Sequence, residues 1–229
     1  MQLLNVLIAR SIWLFPVLDI NPRGRAIDSD LIDWLKATYH FQKYPSSPLD
    51  FDPETKTLTF TAGKFKSGYV TDETEPYIAV DLLIYTDGVV ANTRSSTKDS
   101  DRFLDEAIRA AVKELNLVYP QHIRKKLYYS EMDVRLDRPM ASLNPKLEKL
   151  AGTISSLRGD TNAIAFEFSG VSFLPDPNAQ ATVSAFSVER KVNTEWSENR
   201  YYSRAPLQTD AHLRVLEEFE GLLITTNPT

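Results

Sequence analysis

Residues 77–115, YIAVDLLIYTDGVVANTRSSTKDSDRFLDEAIRAAVKEL, carry the clearest structural pattern in this chain. The first half reads as two β-rich runs joined by Asp87-Gly88, a dipeptide that favours a tight hairpin turn. In the second half apolar residues recur every three or four positions, which predicts a helix capped by Asp99 or Ser100. These residues therefore predict two antiparallel strands followed by an amphipathic helix.

The same order of elements occurs twice along the chain. The first half adds a strand at residues 11–20, a helix capped by Asp28 or Ser29 and a strand at 57–65. The second half has helices that start at Asn144-Pro145 and at Thr209 or Asp210. Its strands are predicted at 132–136, 162–173, 181–192 and 201–204. We interpret this as an α+β fold of two tandem β-α-β-β(-β)-α repeats, residues 1–118 and 119–229. Their antiparallel or mixed sheets are covered by four main helices. Coincidental alternation of elements is the alternative interpretation.

Each predicted repeat is too small to bury much apolar surface alone. We therefore expect the halves to share one continuous sheet or to pack face to face, which leaves a groove or an edge for a partner. The third predicted helix should contribute one apolar face, formed by Leu147, Leu150, Ala151, Ile154 and Leu157.

Composition excludes several classes of function. The 229 residues carry a formal net charge of -5, which gives no general attraction to phosphate or to anionic lipid. Cysteine is absent, so disulfides, thiolate nucleophiles and cysteine-ligated metals are excluded. The apolar N-terminal segment lacks the basic start and small-residue cleavage site of a signal peptide, and Asn5, Arg10 and Pro16 interrupt it as a membrane span. These features predict a cytoplasmic protein.

Catalytic motifs are not evident. The three histidines, His40, His122 and His212, lie in unrelated contexts and are expected to be surface or half-buried structural residues. Their spacing predicts no metal site, and no glycine-rich phosphate-binding loop is present. The sequence thus favours a non-enzymatic role without a cofactor.

One acidic pattern supports an alternative role. Pro175-Asp176 with Glu189-Arg190-Lys191 matches the written form of the PD-(D/E)xK nuclease signature, but about 25–30 Å of extended strand would separate the two acids. If the hairpin centres near Pro177, however, Glu167 falls beside Ser187 and diagonal to Glu189. Glu167, Glu189 and Lys191 would then share one sheet face as a Mg²⁺-dependent nuclease site. An exposed face with a favourable Glu–Lys pair explains the same pattern.

A basic and aromatic connector supports a second alternative. Residues 119–129 include Arg124, Lys125, Lys126, Tyr128 and Tyr129, which interleave cations with rings. Single-stranded nucleic acid is bound by that combination, because bases stack on rings while cations contact phosphates. A connector with solvated cations and packed tyrosines is the simpler interpretation.

These observations together predict a non-catalytic binding or assembly protein. We expect it to act as a homo-oligomer or as a subunit of a larger complex, through a protein partner or self-association. The nuclease and the single-stranded nucleic-acid-binding protein stay open as alternatives. Mg²⁺ is expected only for the nuclease, nucleic acid is not the favoured partner, and no membrane contact is expected.

Overall fold

Twelve strands and helices are defined in the described part of the chain. The computed structural model describes residues 1–20, 29–50, 57–66, 77–157, 164–178 and 183–224. The elements are β1 (Gln2–Leu14), α1 (Ser29–Tyr39), β2 (Leu58–Lys66), β3 (Tyr77–Ile84), β4 (Gly88–Thr93), α2 (Thr97–Leu115), β5 (Lys125–Arg135), α3 (Pro145–Leu157), β6 (Gly170–Phe173), β7 (Phe186–Arg190), β8 (Arg200–Ala205) and α4 (Thr209–Ile224). The predicted cap Asp28 and residues 162–163 and 181–182 of two predicted strands lie outside the described residues.

The strands form an eight-stranded sheet, so the mixed α+β class is confirmed. Their order is β2-β3-β4-β1-β5-β8-β7-β6. The hairpin predicted at Asp87-Gly88 is confirmed, because Ile84 lies opposite Val89 and the Tyr85 N–H donates to the Gly88 carbonyl at 2.9 Å. In the described part of the chain, no helix is long and apolar enough to cross a membrane.

The chain divides into two compact units. The first unit consists of residues 8–130 and 207–209, and the second unit consists of residues 1–7, 131–206 and 210–229. The division falls within β1 and within β5.

Large aromatic and aliphatic side chains fill the core of the first unit. Trp13, Phe60 and Phe103 are almost fully buried. Phe103 of α2 packs edge-on against Tyr39 of α1, with ring centroids 5.0 Å apart, and against Phe65 of β2 at 5.3 Å. The apolar faces of α1 and α2 are therefore used within this unit.

The helix α2 begins earlier than predicted. Ser96 is its N-cap and accepts a hydrogen bond from the Asp99 N–H at 3.1 Å, so Asp99 and Ser100 lie inside the first turn. The sequence pattern did not distinguish Ser96 as the cap, because several of the polar residues around it can also cap a helix. Thr97 and Thr209 exchange hydrogen bonds: each backbone N–H donates to the hydroxyl of the other, at 2.9 and 3.0 Å.

The second unit has a smaller core. Its buried residues come from β5, β7, β8 and α4 and include Met132, Val134, Leu136, Val188, Tyr201, Leu216, Phe219 and Leu223. The helix α3 begins at Pro145 as predicted, and the Asn144 side chain accepts from the Lys146 N–H at 3.0 Å. It buries only Ala151 fully. Leu147 is half-buried and Leu150, Ile154 and Leu157 are exposed, so most of the predicted apolar face lies at the surface.

Several strand boundaries differ from the sequence prediction. The strand predicted over residues 181–192 is confined to Phe186–Arg190, and β1 begins at Gln2 and not at residue 11. The strand β1 ends at Leu14, and a 3-10 helix occupies Val17–Ile20 where a strand was expected. The predicted connector is wrong from Lys125 onward, because β5 starts there. Residues 164–169 have no regular structure, so β6 is confined to Gly170–Phe173. Alternating apolar residues favoured a longer strand there, but Ile164 and Phe166 are 45% and 40% exposed, and of the apolar side chains at 164–169 Phe168 packs against the core of the unit.

Candidate functional site

Asp133 is a fully buried carboxylate in β5. Its neighbours Met132 and Val134 belong to the core, so the Asp133 side chain lies on the opposite face of the strand. The Arg200 guanidinium donates two hydrogen bonds to it, with Nε–Oδ1 at 3.0 Å and Nη2–Oδ2 at 2.6 Å. The Lys191 ammonium binds the same carboxylate. Two cations thus share the Asp133 carboxylate, and the negative charge of Glu198 also acts on Arg200.

The pKa of Asp133 reflects opposing effects. Burial raises this pKa, while the hydrogen bonds and charges of Arg200 and Lys191 lower it, and together the cations hold it below the usual value. The bond to Asp133 raises the pKa of Arg200. The stabilisation from this cluster is therefore present above the ordinary carboxyl pKa and is lost only as the pH falls below it.

The β6–β7 register differs from the prediction. Gly170 lies opposite Glu189, whereas a hairpin centred near Pro177 would place Glu167 beside Ser187. The observed register is offset from that pairing by an odd number of residues, and an odd offset exchanges the two faces of a strand. The predicted cross-strand arrangement of Glu167 and Glu189 is therefore wrong.

The three residues of the predicted nuclease site bind three different partners. Glu167 pairs with Arg190 at 3.7 Å, Glu189 with Arg204 at 3.8 Å, and Lys191 with Asp133. Among the described residues, no group of three or more acidic or histidine side chains is placed to hold a metal ion. Catalysis by Glu167, Glu189 and Lys191 stays a prediction.

A groove of about 530 Å³ lies beside this charged cluster. It is lined by β6, the end of β7 and the β7–β8 loop, including Gly170, Ser172, Glu189, Lys191, Thr194 and Trp196. The Trp196 side chain is 48% exposed and that of Val192 is 80% exposed. The groove thus combines polar groups with an exposed aromatic ring.

The β7–β8 loop is fixed by its own hydrogen bonds. Thr194 donates to the Lys191 carbonyl at 2.7 Å, and the Arg190 guanidinium donates to the Glu195 carbonyl at 3.0 Å. The side chains of Glu195 and Glu198 form a capping box around the short helix Trp196–Glu198. Trp196 is therefore held on an ordered support, which lowers the entropy cost of binding a partner.

The basic and aromatic segment is divided by the alternation of β5. Lys126 and Tyr128 point toward Trp13 and Asp101: the Lys126 ammonium lies 3.6 Å from the Trp13 ring centroid and 3.4 Å from the Asp101 carboxylate. The Tyr128 hydroxyl also donates to Asp101, at 3.4 Å. These two side chains are therefore engaged within the first unit.

The other members of the segment lie apart from that cluster. Tyr129 is on the opposite face of β5, where the Arg10 guanidinium lies 5.8 Å from its ring centroid. Arg124 and Lys125 are exposed. Lys126 and Tyr128 thus lie on one face of β5 and Tyr129 on the other, and nucleic-acid binding by this segment stays a prediction.

An apolar stripe runs along the exposed side of α3. Leu150, Ile154 and Leu157 are 54%, 44% and 80% exposed, and Leu147 is partly exposed. Their spacing of three, four and three residues places them side by side on the helix surface. We call these four residues the α3 stripe.

No family model matches the chain, and no curated protein matches it.

His212 is the one histidine whose position contradicts the sequence prediction. It is fully buried in α4, and its Nε2 lies 2.8 Å from the Ser203 hydroxyl. Ser203 donates to the Ser187 carbonyl at 2.8 Å, so His212 Nε2–H donates to Ser203. Ser203 is equally buried, which makes this pair a structural contact and not a nucleophile–base pair.

Burial lowers the pKa of His212 to about 4 from its ordinary 6.5. Below pH 6.5 the unfolded chain binds a proton that the folded chain takes up only near pH 4, so folding is destabilised as the pH falls through this interval. We expect a loss of roughly 3 kcal/mol in the free energy of unfolding. Urea unfolding between pH 7 and 4.5 measures it. The variant His212→Gln should flatten this dependence, whereas His122→Gln, at an exposed position, should leave it unchanged; an equal slope in His212→Gln would contradict the assignment.

Sequence reasoning did not find Asp133, its pairing with Arg200, or the α3 stripe as a surface. Asp133 is flanked by two apolar residues, a pattern that predicts a solvent-facing position in a strand. Its partners lie 58 and 67 residues away, so only the register of three strands brings them together.

Proposed function

We propose that this protein is a non-catalytic assembly protein that associates with a second copy of itself through the α3 stripe. The observation that carries the proposal is the exposure of Leu150, Ile154 and Leu157 on a well-formed helix. An apolar helix face that its own chain leaves uncovered marks an interaction surface.

The corresponding helix of the first half supplies the contrast. In α1 the apolar residues Leu31, Ile32, Leu35 and Tyr39 are all buried. These apolar residues of α1 are buried within their own unit, whereas the α3 stripe is largely exposed. The α3 stripe is therefore apolar surface that is available for association.

The spacing of the stripe favours a second copy as the occupant. Leu147, Leu150, Ile154 and Leu157 occupy successive a and d positions of a heptad, the pattern that packs helix against helix. They are also symmetric about position 152, so an antiparallel pair places Leu150 against Ile154 and Leu147 against Leu157. An isologous dimer requires such self-complementarity.

Among the described residues beside the stripe, charge does not oppose this pairing. The stripe is flanked by Thr153 and by Lys146 on one side and by Ala151 on the other. In an antiparallel pair the Lys146 side chains lie at opposite ends of the interface, where they do not repel one another. The helix dipoles then also align favourably.

The tandem repeat is part of the same proposal. The order of elements in each half, β-α-β-β-β-α, supports it, as does the sheet order, in which β2 and β6, β3 and β7, and β4 and β8 hold equal positions from the two ends. The reciprocal bonds of Thr97 and Thr209, each the first residue of the last helix of its half, also support it. In this proposal the second repeat has kept the apolar face of its helix α3 for assembly. The protein acts in the cytoplasm, as the sequence predicts.

Light scattering during size-exclusion chromatography over a dilution series tests self-association. The chain should elute with twice the mass of one chain at high concentration. The variant Leu150→Glu/Ile154→Glu should be monomeric, because a charge in an apolar seam weakens association by roughly tenfold or more at each position.

The control is Leu18→Glu, at a residue that is 59% exposed but lies outside α3. It should associate like the wild type, and both variants should retain the wild-type circular dichroism spectrum. A wild-type chain that is monomeric at every concentration would refute self-association, and so would an α3 variant that associates like the wild type.

A further inference from the structure

We infer that a cavity between α1 and α2 of the first unit binds an alkyl group of roughly three to five carbon atoms. This site goes beyond the proposed assembly role, because it does not involve the α3 stripe. Three observations carry the inference: the apolar lining of the cavity, its volume, and the position of Trp34 at its entrance.

The cavity lies where α1 and α2 cover the sheet of the first unit, and its volume is about 50 Å³. The described residues around it are all apolar and come from both helices and from β3 and β4; those of the helices include Leu31, Trp34, Leu35, Leu104, Ala107 and Ala111. A polar group placed there would lose its hydrogen bonds to water and gain none in return. The lining therefore selects an apolar occupant.

Two alanines leave the space open on the α2 side. Ala107 and Ala111 are four residues apart, so their methyl groups lie side by side on one face of the helix. Protein interiors contain few voids larger than a water molecule, because the atoms that line a void forfeit packing contacts. An alkyl group in the cavity restores those contacts, and this gain favours its binding.

The volume sets the size of the occupant. One water molecule needs about 10–15 Å³ of such space, so the cavity accepts roughly three to five heavy atoms. Water is a poor occupant, because a buried water needs about two to four polar partners. A short hydrocarbon fits as a whole molecule, and the end of a longer chain fits with its remainder outside.

Trp34 forms the part of the wall that reaches solvent. Its side chain is half-buried, as are those of Val112 and Leu117 in the same lining. The Trp34 Nε1–H donates to the Glu114 carboxylate of α2 at 2.6 Å, and this hydrogen bond is exposed. Because water can replace an exposed hydrogen bond at small cost, the indole ring can swing outward and admit the ligand.

Titration of the intact chain with cyclopentane, followed by NMR of isotope-labelled methyl groups, tests the inference. The methyl signals of Ala107 and Ala111 should shift and saturate, whereas that of Ala79, at an exposed position in β3, should not. Decanoate distinguishes the source of the alkyl group. Shifts with both probes indicate the end of a longer chain, and shifts with cyclopentane alone indicate a small free molecule. If neither probe shifts the two signals, the inference is overturned.

Variants that fill the cavity provide the second arm. Ala111→Leu places a branched side chain in the space of the ligand, so it should weaken cyclopentane binding about tenfold or more. Ala107→Val adds less volume and serves if Ala111→Leu lowers the thermal unfolding temperature. The matched control is Ala110→Leu, at a half-buried position of the same helix outside the lining, which should bind like the wild type. Unaltered binding in both filled variants would overturn the site.

Glu114→Ala tests the entrance, because it removes the acceptor of Trp34 without changing the lining. Cyclopentane should then exchange about fivefold faster in NMR line-shape measurements. An exchange rate equal to that of the wild type would overturn the assignment of Trp34 as the entrance. The α3 variant Leu150→Glu/Ile154→Glu should bind cyclopentane like the wild type, so a failure of self-association and a failure of this site are distinguishable.

Discussion

Replacing Asp133 with alanine is expected to destabilise the second unit by about 3 kcal/mol. The substitution removes the carboxylate that Lys191 and Arg200 share, so two partly buried cations are left facing one another. Removing one member of a buried ionic group costs more than the group contributes, because the remaining charges lose their compensation. In thermal unfolding followed by circular dichroism, we expect the midpoint to fall by roughly 10 °C.

Glu189→Ala is the matched control for this prediction. Glu189 is also a carboxylate on the sheet, but its side chain is 51% exposed and its partner Arg204 lies at 3.8 Å. Exposed ion pairs contribute little, so we expect a change of about 0.5 kcal/mol or less. Equal losses in Asp133→Ala and Glu189→Ala would show that the Asp133 cluster is no more important than a surface pair.

Replacing Trp13 with alanine is expected to destabilise the first unit by about 4 kcal/mol. The ring is 1% exposed and fills the core against β4 and α2. Its Nε1–H also donates to the Asp101 carboxylate at 2.6 Å, and its ring supports the Lys126 ammonium. The loss combines a large cavity with the removal of a hydrogen bond to a charged group.

Trp13→Phe separates these two contributions. It keeps an aromatic ring in the core but removes the donor to Asp101, which Tyr128 and Lys126 continue to contact. We expect about 1–2 kcal/mol in urea unfolding followed by circular dichroism. A cost below about 1 kcal/mol for Trp13→Ala would mean that this part of the core relaxes around the cavity.

Local sequence patterns were sufficient for much of the fold. The Asp87-Gly88 turn, the Asn144-Pro145 helix start and the periodic helix of residues 97–115 each depend on neighbours in sequence, and each is present. The mixed α+β class follows from these elements. The end of β1 at Leu14 was missed because residues 17–20 are apolar enough to resemble a strand.

The candidate sites depend on contacts that local patterns do not contain. Side chains can be assigned to one face of a hairpin only when its register is predicted without an error of even one residue. The predicted β6–β7 register was wrong. Likewise, heptad spacing indicated that the α3 residues form one face, but not whether the rest of the chain covers it. His212 shows the same limit, since its burial is set by the packing of α4 on β8.

Cysteine cross-linking provides the most direct test of assembly through α3, because the chain contains no cysteine of its own. In the antiparallel pair, Leu147→Cys of one copy faces Leu157→Cys of another, while equivalent positions lie about 15 Å apart along the helices. Under mild oxidation a mixture of the two single-cysteine proteins should therefore form a disulfide-linked dimer, and neither protein alone should do so. If the mixture gives no linked dimer, or each protein alone links as readily as the mixture, α3 does not pair in this way.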